Sequence, residues 1–143
     1  MKDHHHAPQT FRTKTTIKFH LCDAAGVMFF GNIFSLAHEA FEEFVMATGY
    51  QWEEWFGAKD YIAPIRHSEA DYKAPFLPGH TYEISVSLDA IGETSFKVKY
   101  EFSEHGNIHA VVRMVHVVAD ASNWQKMKLP PQMKTRLQPY LVQ

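Results

Sequence analysis

The sequence predicts an α+β domain in which a five-stranded antiparallel sheet wraps around one long helix. Three observations lead there. Apolar and polar residues alternate in one segment before residue 20 and in several after residue 60, which is the period of half-buried strands. Between them lies a single stretch with helical spacing, opened by Gly31-Asn32 and closed by Gly49. The chain has 143 residues, enough for one core and too few for two full domains. One helix must therefore cover one face of the sheet, and the sheet must curl around it.

Residues 1–9 contain His4, His5 and His6 and lack any apolar period, so they read as a flexible N-terminal segment ahead of a single domain over 10–143. No acidic or Cys partner stands at ligand spacing from these histidines, and no metal is expected. The first strand sets Phe11, Thr13, Thr15, Ile17 and Phe19 against Arg12, Lys14, Thr16, Lys18 and His20. A turn with Asp23 and Gly26 follows. The helix then repeats Phe34, Ala37, Phe41, Phe44, Val45 and Thr48, with Asn32 as its N-cap and Glu39, Glu42 and Glu43 on its wet side. Tyr61 to Tyr72 form a strand interrupted near Pro64, and Pro75, Pro78 and Gly79 mark a loop. A hairpin follows, with Tyr82, Ile84, Val86 and Leu88 in one strand and Phe96, Val98, Tyr100 and Phe102 in the other, turned at Gly92. Ile108 to Val118 is apolar on both sides except for His109, Arg113 and His116, as in a strand covered on both faces. After Pro130-Pro131, residues Met133, Leu137, Tyr140 and Leu141 suit a short C-terminal helix limited by Pro139. The order is β-α-β-β-β-β, with the last four strands pairing as an antiparallel meander. The edges are too apolar to stay bare, which predicts a homodimer, with a dimer of dimers as a further possibility.

Composition narrows the function classes. Lys and Arg number 14 against 16 Asp and Glu, a formal net charge of −2, so the bulk charge draws the chain neither to nucleic acid nor to anionic lipid. No apolar run is long enough to span a membrane. Cys22 is the one cysteine, and with no leader pattern at the start the chain reads as cytoplasmic.

Chemistry points to the segment from Leu21 to Asn32, LCDAAGVMFFGN. An aspartate followed by glycine in a loop is most often turn chemistry. Here Asp23 lies shortly before a long helix, whose first N–H groups and positive dipole end suit attack on a carbonyl.

With these residues on view, the chain resembles the 4-hydroxybenzoyl-CoA thioesterase-like family of hot dog acyl-CoA thioesterases. The likeness lies in Asp23-Ala24-Ala25-Gly26-Val27, Phe29-Phe30, Asn32, the helix run His38-Glu39-Ala40-Phe41-Glu42, and Ala70-Asp71-Tyr72-Lys73-Ala74-Pro75 with Gly79. The helix and the stretch from Pro64 to Pro75 look most like the branch that hydrolyses 1,4-dihydroxy-2-naphthoyl-CoA in quinone biosynthesis. The resemblance implies a hot dog fold, no cofactor and an acyl-CoA substrate. It also implies that Asp23 is the catalytic carboxylate, acting on the thioester as nucleophile or as the base that activates water. The backbone N–H groups of Phe30 and Gly31 would then polarise the carbonyl. In the branch tied to the Tol-Pal envelope system the position of Phe30 is usually His, and a Phe ring donates no hydrogen bond; this departure counts against that branch.

Phe29 and Phe34 flank the helix start and suit a flat acyl group. His67 matches a histidine of the naphthoyl-CoA branch, yet it equally fits a strand surface. Lys73 is a candidate for the CoA phosphates. Cys22 reads as a packing residue, Glu39 and Glu42 as a solvated face, and Trp52, Trp55 and Phe56 as packing more than as an acyl pocket; His38 is ambiguous. Three functions stay open: an aryl-CoA thioesterase, a thioesterase for aliphatic or carrier-bound acyl groups, and a non-catalytic acyl-CoA-binding module.

Overall fold

The structure is a computed structural model that describes residues 8–142. The expectations about His4, His5 and His6 lie outside the described residues. Gln9, within the segment read as flexible, donates its N–H to Pro139 O (2.8 Å).

The main sheet has five strands, β1 (Phe11–Thr16), β3 (Ile65–Tyr72), β4 (Thr81–Ile91), β5 (Ser95–Glu104) and β6 (Asn107–Val117), in the spatial order β1-β4-β5-β6-β3 with every pair antiparallel. The meander therefore holds for β4, β5 and β6 only. β3 crosses to the far edge and pairs with β6, while β1 pairs with β4. A short ladder of β2 (Tyr61–Ile62) with β7 (Ala119–Asp120) closes the end of the sheet.

Helix α1 (Ile33–Ala47) lies in the concave face and buries Ile33, Leu36, Ala37, Ala40, Phe41, Phe44 and Val45, the i, i+3, i+4 row that a helix of this pitch presents to one side. Against it stand the inward residues Tyr82, Ile84, Val86 and Leu88 of β4 and Phe96, Val98, Tyr100 and Phe102 of β5, all buried. Each buried ring or branched side chain contributes roughly 1.5–3 kcal/mol of hydrophobic stabilisation. Gly49, at φ +113°, ends the helix in the conformation that favours glycine. Beyond it, α2 (Trp52–Trp55) buries Trp55 under the helix and leaves Trp52 at the surface. At the C-terminus α3 (Pro131–Leu137) buries Met133 and Leu137, and Tyr140 meets Phe44 edge-on at 4.9 Å.

Two local expectations are corrected. Phe19 does not sit on the buried side of the first strand. β1 ends at Thr16, a 3-10 turn at Phe19–Leu21 rotates the chain, and Phe19 is 85% exposed. Asn32 stands at the N-cap position but in helical conformation, and its side chain makes no cap; it donates instead to Leu21 O (2.8 Å). The edge also differs. β3 carries Arg66, His67, Ser68, Glu69 and Asp71, so apart from exposed Ile65 and Tyr72 it leaves bare hydrogen-bonding backbone rather than apolar surface.

Candidate active site

The segment ahead of α1 is folded back on itself by its own backbone. Cys22 and Met28 form an isolated antiparallel bridge, Asp23 N–H donates to Val27 O (3.0 Å), and Gly26 N–H donates to Asp23 O (3.0 Å). Gly26 sits at φ +83°, with nothing within 4 Å of the position a Cβ would take, so backbone conformation rather than space selects glycine there. One carboxylate oxygen of Asp23 accepts the Ala25 N–H (2.9 Å), an Asx turn. Among the described residues the other oxygen has no partner, and the side chain is exposed to solvent.

The same loop is tied to the helix start. Leu21 O accepts both the Phe29 N–H (2.9 Å) and the Asn32 side chain (2.8 Å), and Met28 N–H donates to Phe76 O (2.8 Å). A 3-10 turn at Phe30–Asn32 leads into α1. Its first internal bond runs from Asn32 N–H to Phe29 O (3.0 Å), so the N–H groups of Phe30 and Gly31 head the helical run with no carbonyl behind them. These donors sit at the positive end of the helix dipole, and no acidic residue occupies the first turn. The site thus sets a carboxylate close in sequence to two open donors, the elements needed for attack on a carbonyl and for holding the oxyanion it produces.

Aromatic rings surround the helix start. Phe29 and Phe30 are 45% and 66% exposed, their rings 4.7 Å apart. The ring of Phe29 lies over Gly31, where a Cβ would come within 2.9 Å of it. Phe34 is half-buried on the first turn of α1 and packs against the core. At the end of β3, Tyr72 donates its hydroxyl to Phe30 O, a contact to which the sequence reading assigned no role. Its signal was a lone tyrosine within the stretch from Ala70 to Pro75, and no spacing rule points from there to residue 30. Lys73 follows directly, anchored by its N–H to His109 O (2.8 Å) with an exposed side chain.

The remaining candidates lie elsewhere within one chain. His67 is five residues up β3 from Tyr72, about 16 Å along the strand and on the opposite face, where its Nε2 meets Glu69 Oε1 at 3.0 Å. Cys22 is half-buried, its thiol directed at Lys18 O (3.8 Å). Glu39 is solvated and Glu42 pairs with His38 (3.3 Å). His38, Phe41, Trp55, Phe56 and His116 line a small cavity of about 140 Å³. His116 is the buried polar residue of that region: its Nδ1–H donates to Ala63 O (2.8 Å) and its Nε2 has no partner among the described residues. Among the described residues no group of three or more His, Cys, Asp or Glu is placed to hold a metal ion, and no helix is long and apolar enough to cross a membrane.

Comparison with known proteins adds to this geometry. Residues 17–137 match the thioesterase-like superfamily. A 1,4-dihydroxy-2-naphthoyl-CoA hydrolase from Synechococcus elongatus is 31% identical over 90% of this chain and 95% of its own length. Among solved structures, a 1,4-dihydroxy-2-naphthoyl-CoA thioesterase from Synechocystis superposes with a TM-score of 0.82 at 22% identity, over 90% of this chain and 96% of that one. A gentisyl-coenzyme A thioesterase does so with a TM-score of 0.80 at 23% identity, over 90% and 99%. At these identities the structural likenesses carry the hot dog fold.

Proposed function

Because the chain belongs to the thioesterase-like superfamily, we propose that it hydrolyses an aryl-CoA thioester, such as 1,4-dihydroxy-2-naphthoyl-CoA or 4-hydroxybenzoyl-CoA, to the free acid and CoA. The observation that carries this reading is the half-free Asp23 carboxylate on a loop bonded to the start of α1, where the N–H groups of Phe30 and Gly31 are open. Asp23 either attacks the thioester carbon, forming a mixed anhydride that water then cleaves, or takes a proton from water as the water attacks. In both routes the carbonyl oxygen gains charge, the two N–H groups receive it, and the C–S bond breaks to release CoA thiolate. Curated relatives named for an aryl-CoA substrate and the exposed Phe29 and Phe30 rings support an aryl acyl group, with Phe34 beneath and Lys73 near the CoA phosphates. A CoA thioester substrate fits a cytoplasmic location.

The proposed working unit is a homodimer, alone or as half of a dimer of dimers. Nearly every residue of β3 is exposed, and a twofold axis through this edge would pair β3 with a second copy antiparallel to it. The His67 end of one strand then comes beside the Lys73 end of the other, which gives His67 a route to the site that one chain does not offer.

The test is CoA release, followed with a thiol reagent, from 1,4-dihydroxy-2-naphthoyl-CoA, 4-hydroxybenzoyl-CoA and a medium-chain acyl-CoA. The expected result is the highest kcat/KM on an aryl thioester. Preference for the aliphatic substrate would overturn the aryl assignment and leave the thioesterase reading. Asp23→Ala and Asp23→Asn should fold normally and lose about 10²- to 10⁴-fold in turnover; near-normal hydrolysis by either would sink the role of Asp23.

A further inference from the structure

One of the two donors that would hold the thioester oxygen is itself held from behind. Phe30 C=O and Gly31 N–H are the two ends of one peptide unit, planar and trans, so they point in opposite directions. The Tyr72 hydroxyl, from the last residue of β3, donates to that carbonyl. The Tyr72 ring stands edge-on to Phe76 (6.2 Å), and Phe76 O receives the Met28 N–H. Tyr72 therefore rests on the same support that fixes the approach to Phe29 and Phe30. Burial pushes its pKa up to about 12, so the hydroxyl keeps its proton at neutral pH.

We propose that Tyr72 is a positioning residue for thioester cleavage: by donating to the Phe30 carbonyl it fixes the Phe30–Gly31 peptide with the Gly31 N–H turned away from β3 and onto the substrate oxygen. The proposal rests on the thioesterase reading above. Two physical effects give it weight. A hydrogen bond received at the carbonyl polarises the peptide unit and makes its N–H a stronger donor. A donor already fixed in direction also loses nothing to reorganisation as charge develops. Without the tie, the peptide begins a 3-10 turn at a residue two-thirds exposed, and among the described residues no other hydrogen bond holds the Phe30 carbonyl from outside its own helical run. Tyr72 also belongs to the edge strand of the proposed dimer, so the same strand that meets a second copy would orient the donor.

Tyr72→Phe removes the hydroxyl and keeps the ring, and it should lower kcat on the aryl thioester by about ten-fold, short of the 10²–10³ that losing a donor outright costs. KM should stay within about two-fold, because the effect belongs to the developing oxyanion and not to ground-state binding. The Gly31 amide nitrogen resonance should move in the variant, since that nitrogen shares the peptide from which the hydrogen bond is lost. An unchanged kcat, or a loss confined to KM and melting temperature with the Gly31 amide unmoved, would overturn the proposal and leave Tyr72 as a strut. Asp23→Asn in the same assay separates the two failures. If it is inactive while Tyr72→Phe is fully active, only the role of Tyr72 falls. If Asp23→Asn is fully active, the site itself is wrong.

Discussion

His116 is 1% exposed, and its ring stacks against those of Phe41 (4.6 Å) and Phe96 (5.0 Å). Its Nδ1–H is committed to Ala63 O. Removed from water, the cationic form loses its hydration, and burial pushes the pKa down from 6.5 to about 4. Above pH 6.5 the imidazole is neutral in both folded and unfolded chains and costs nothing. As pH falls, the unfolded chain takes up a proton that the folded one refuses, so stability is lost between pH 6.5 and about 4. The loss runs at up to about 1.4 kcal/mol per pH unit, about 3 kcal/mol over the window. Urea unfolding at pH 7 and pH 4.5 should show this loss in the native protein and much less of it in His116→Gln. Equal acid sensitivity in both would mean that His116 is not the group responsible.

At the scale of elements, the Asp23 loop and α1 act as one piece because Leu21 O is shared by the Phe29 N–H and the Asn32 side chain. Asn32→Ala removes one of those bonds and should cost about 1 kcal/mol of stability, read from urea unfolding. Turnover should fall by more than that loss explains, because the carboxylate and the donors are no longer held in register; unchanged turnover would show that the Phe29 bond alone suffices. Asn32 also marks where sequence reading reached its limit. Helix α1, the hairpin of β4 and β5, the break at Pro64 and the Gly49 stop were legible, since periodicity and backbone-restricted residues report on local geometry. The cap was misplaced because an asparagine before a helix has two uses, and a partner eleven residues back decides between them. Tyr72 gained no role for the same reason at longer range: its acceptor lies 42 residues away. Asp23 stood out only because its sequence neighbours include both the turn glycine and the helix start. The far-edge place of β3 was hidden because alternation gives a strand its faces and says nothing of its neighbour.

For the whole molecule, β3 is the edge that a second copy would cover. Its polar side chains do not drive association by apolar burial, yet an eight-residue edge with free backbone groups is a template for a like strand. Pairing two such edges about a twofold axis would join the two five-stranded sheets into one, with a helix on the same face of each half. It would also cover exposed Ile65 and Tyr72 and set the His67 end of one strand next to the Tyr72–Lys73 end of the other. Assembly and activity should then be linked by mass action. Sedimentation equilibrium should find a dimer as the smallest stable species, with any dimer of dimers dissociating to it first. Specific activity should hold on dilution until the dimer dissociates and fall in step with it, because a lone chain keeps Asp23, Phe30 and Gly31 but loses whatever the second strand supplies. A folded monomer that retains full specific activity would show that one chain completes the site, and would return His67 to the strand surface.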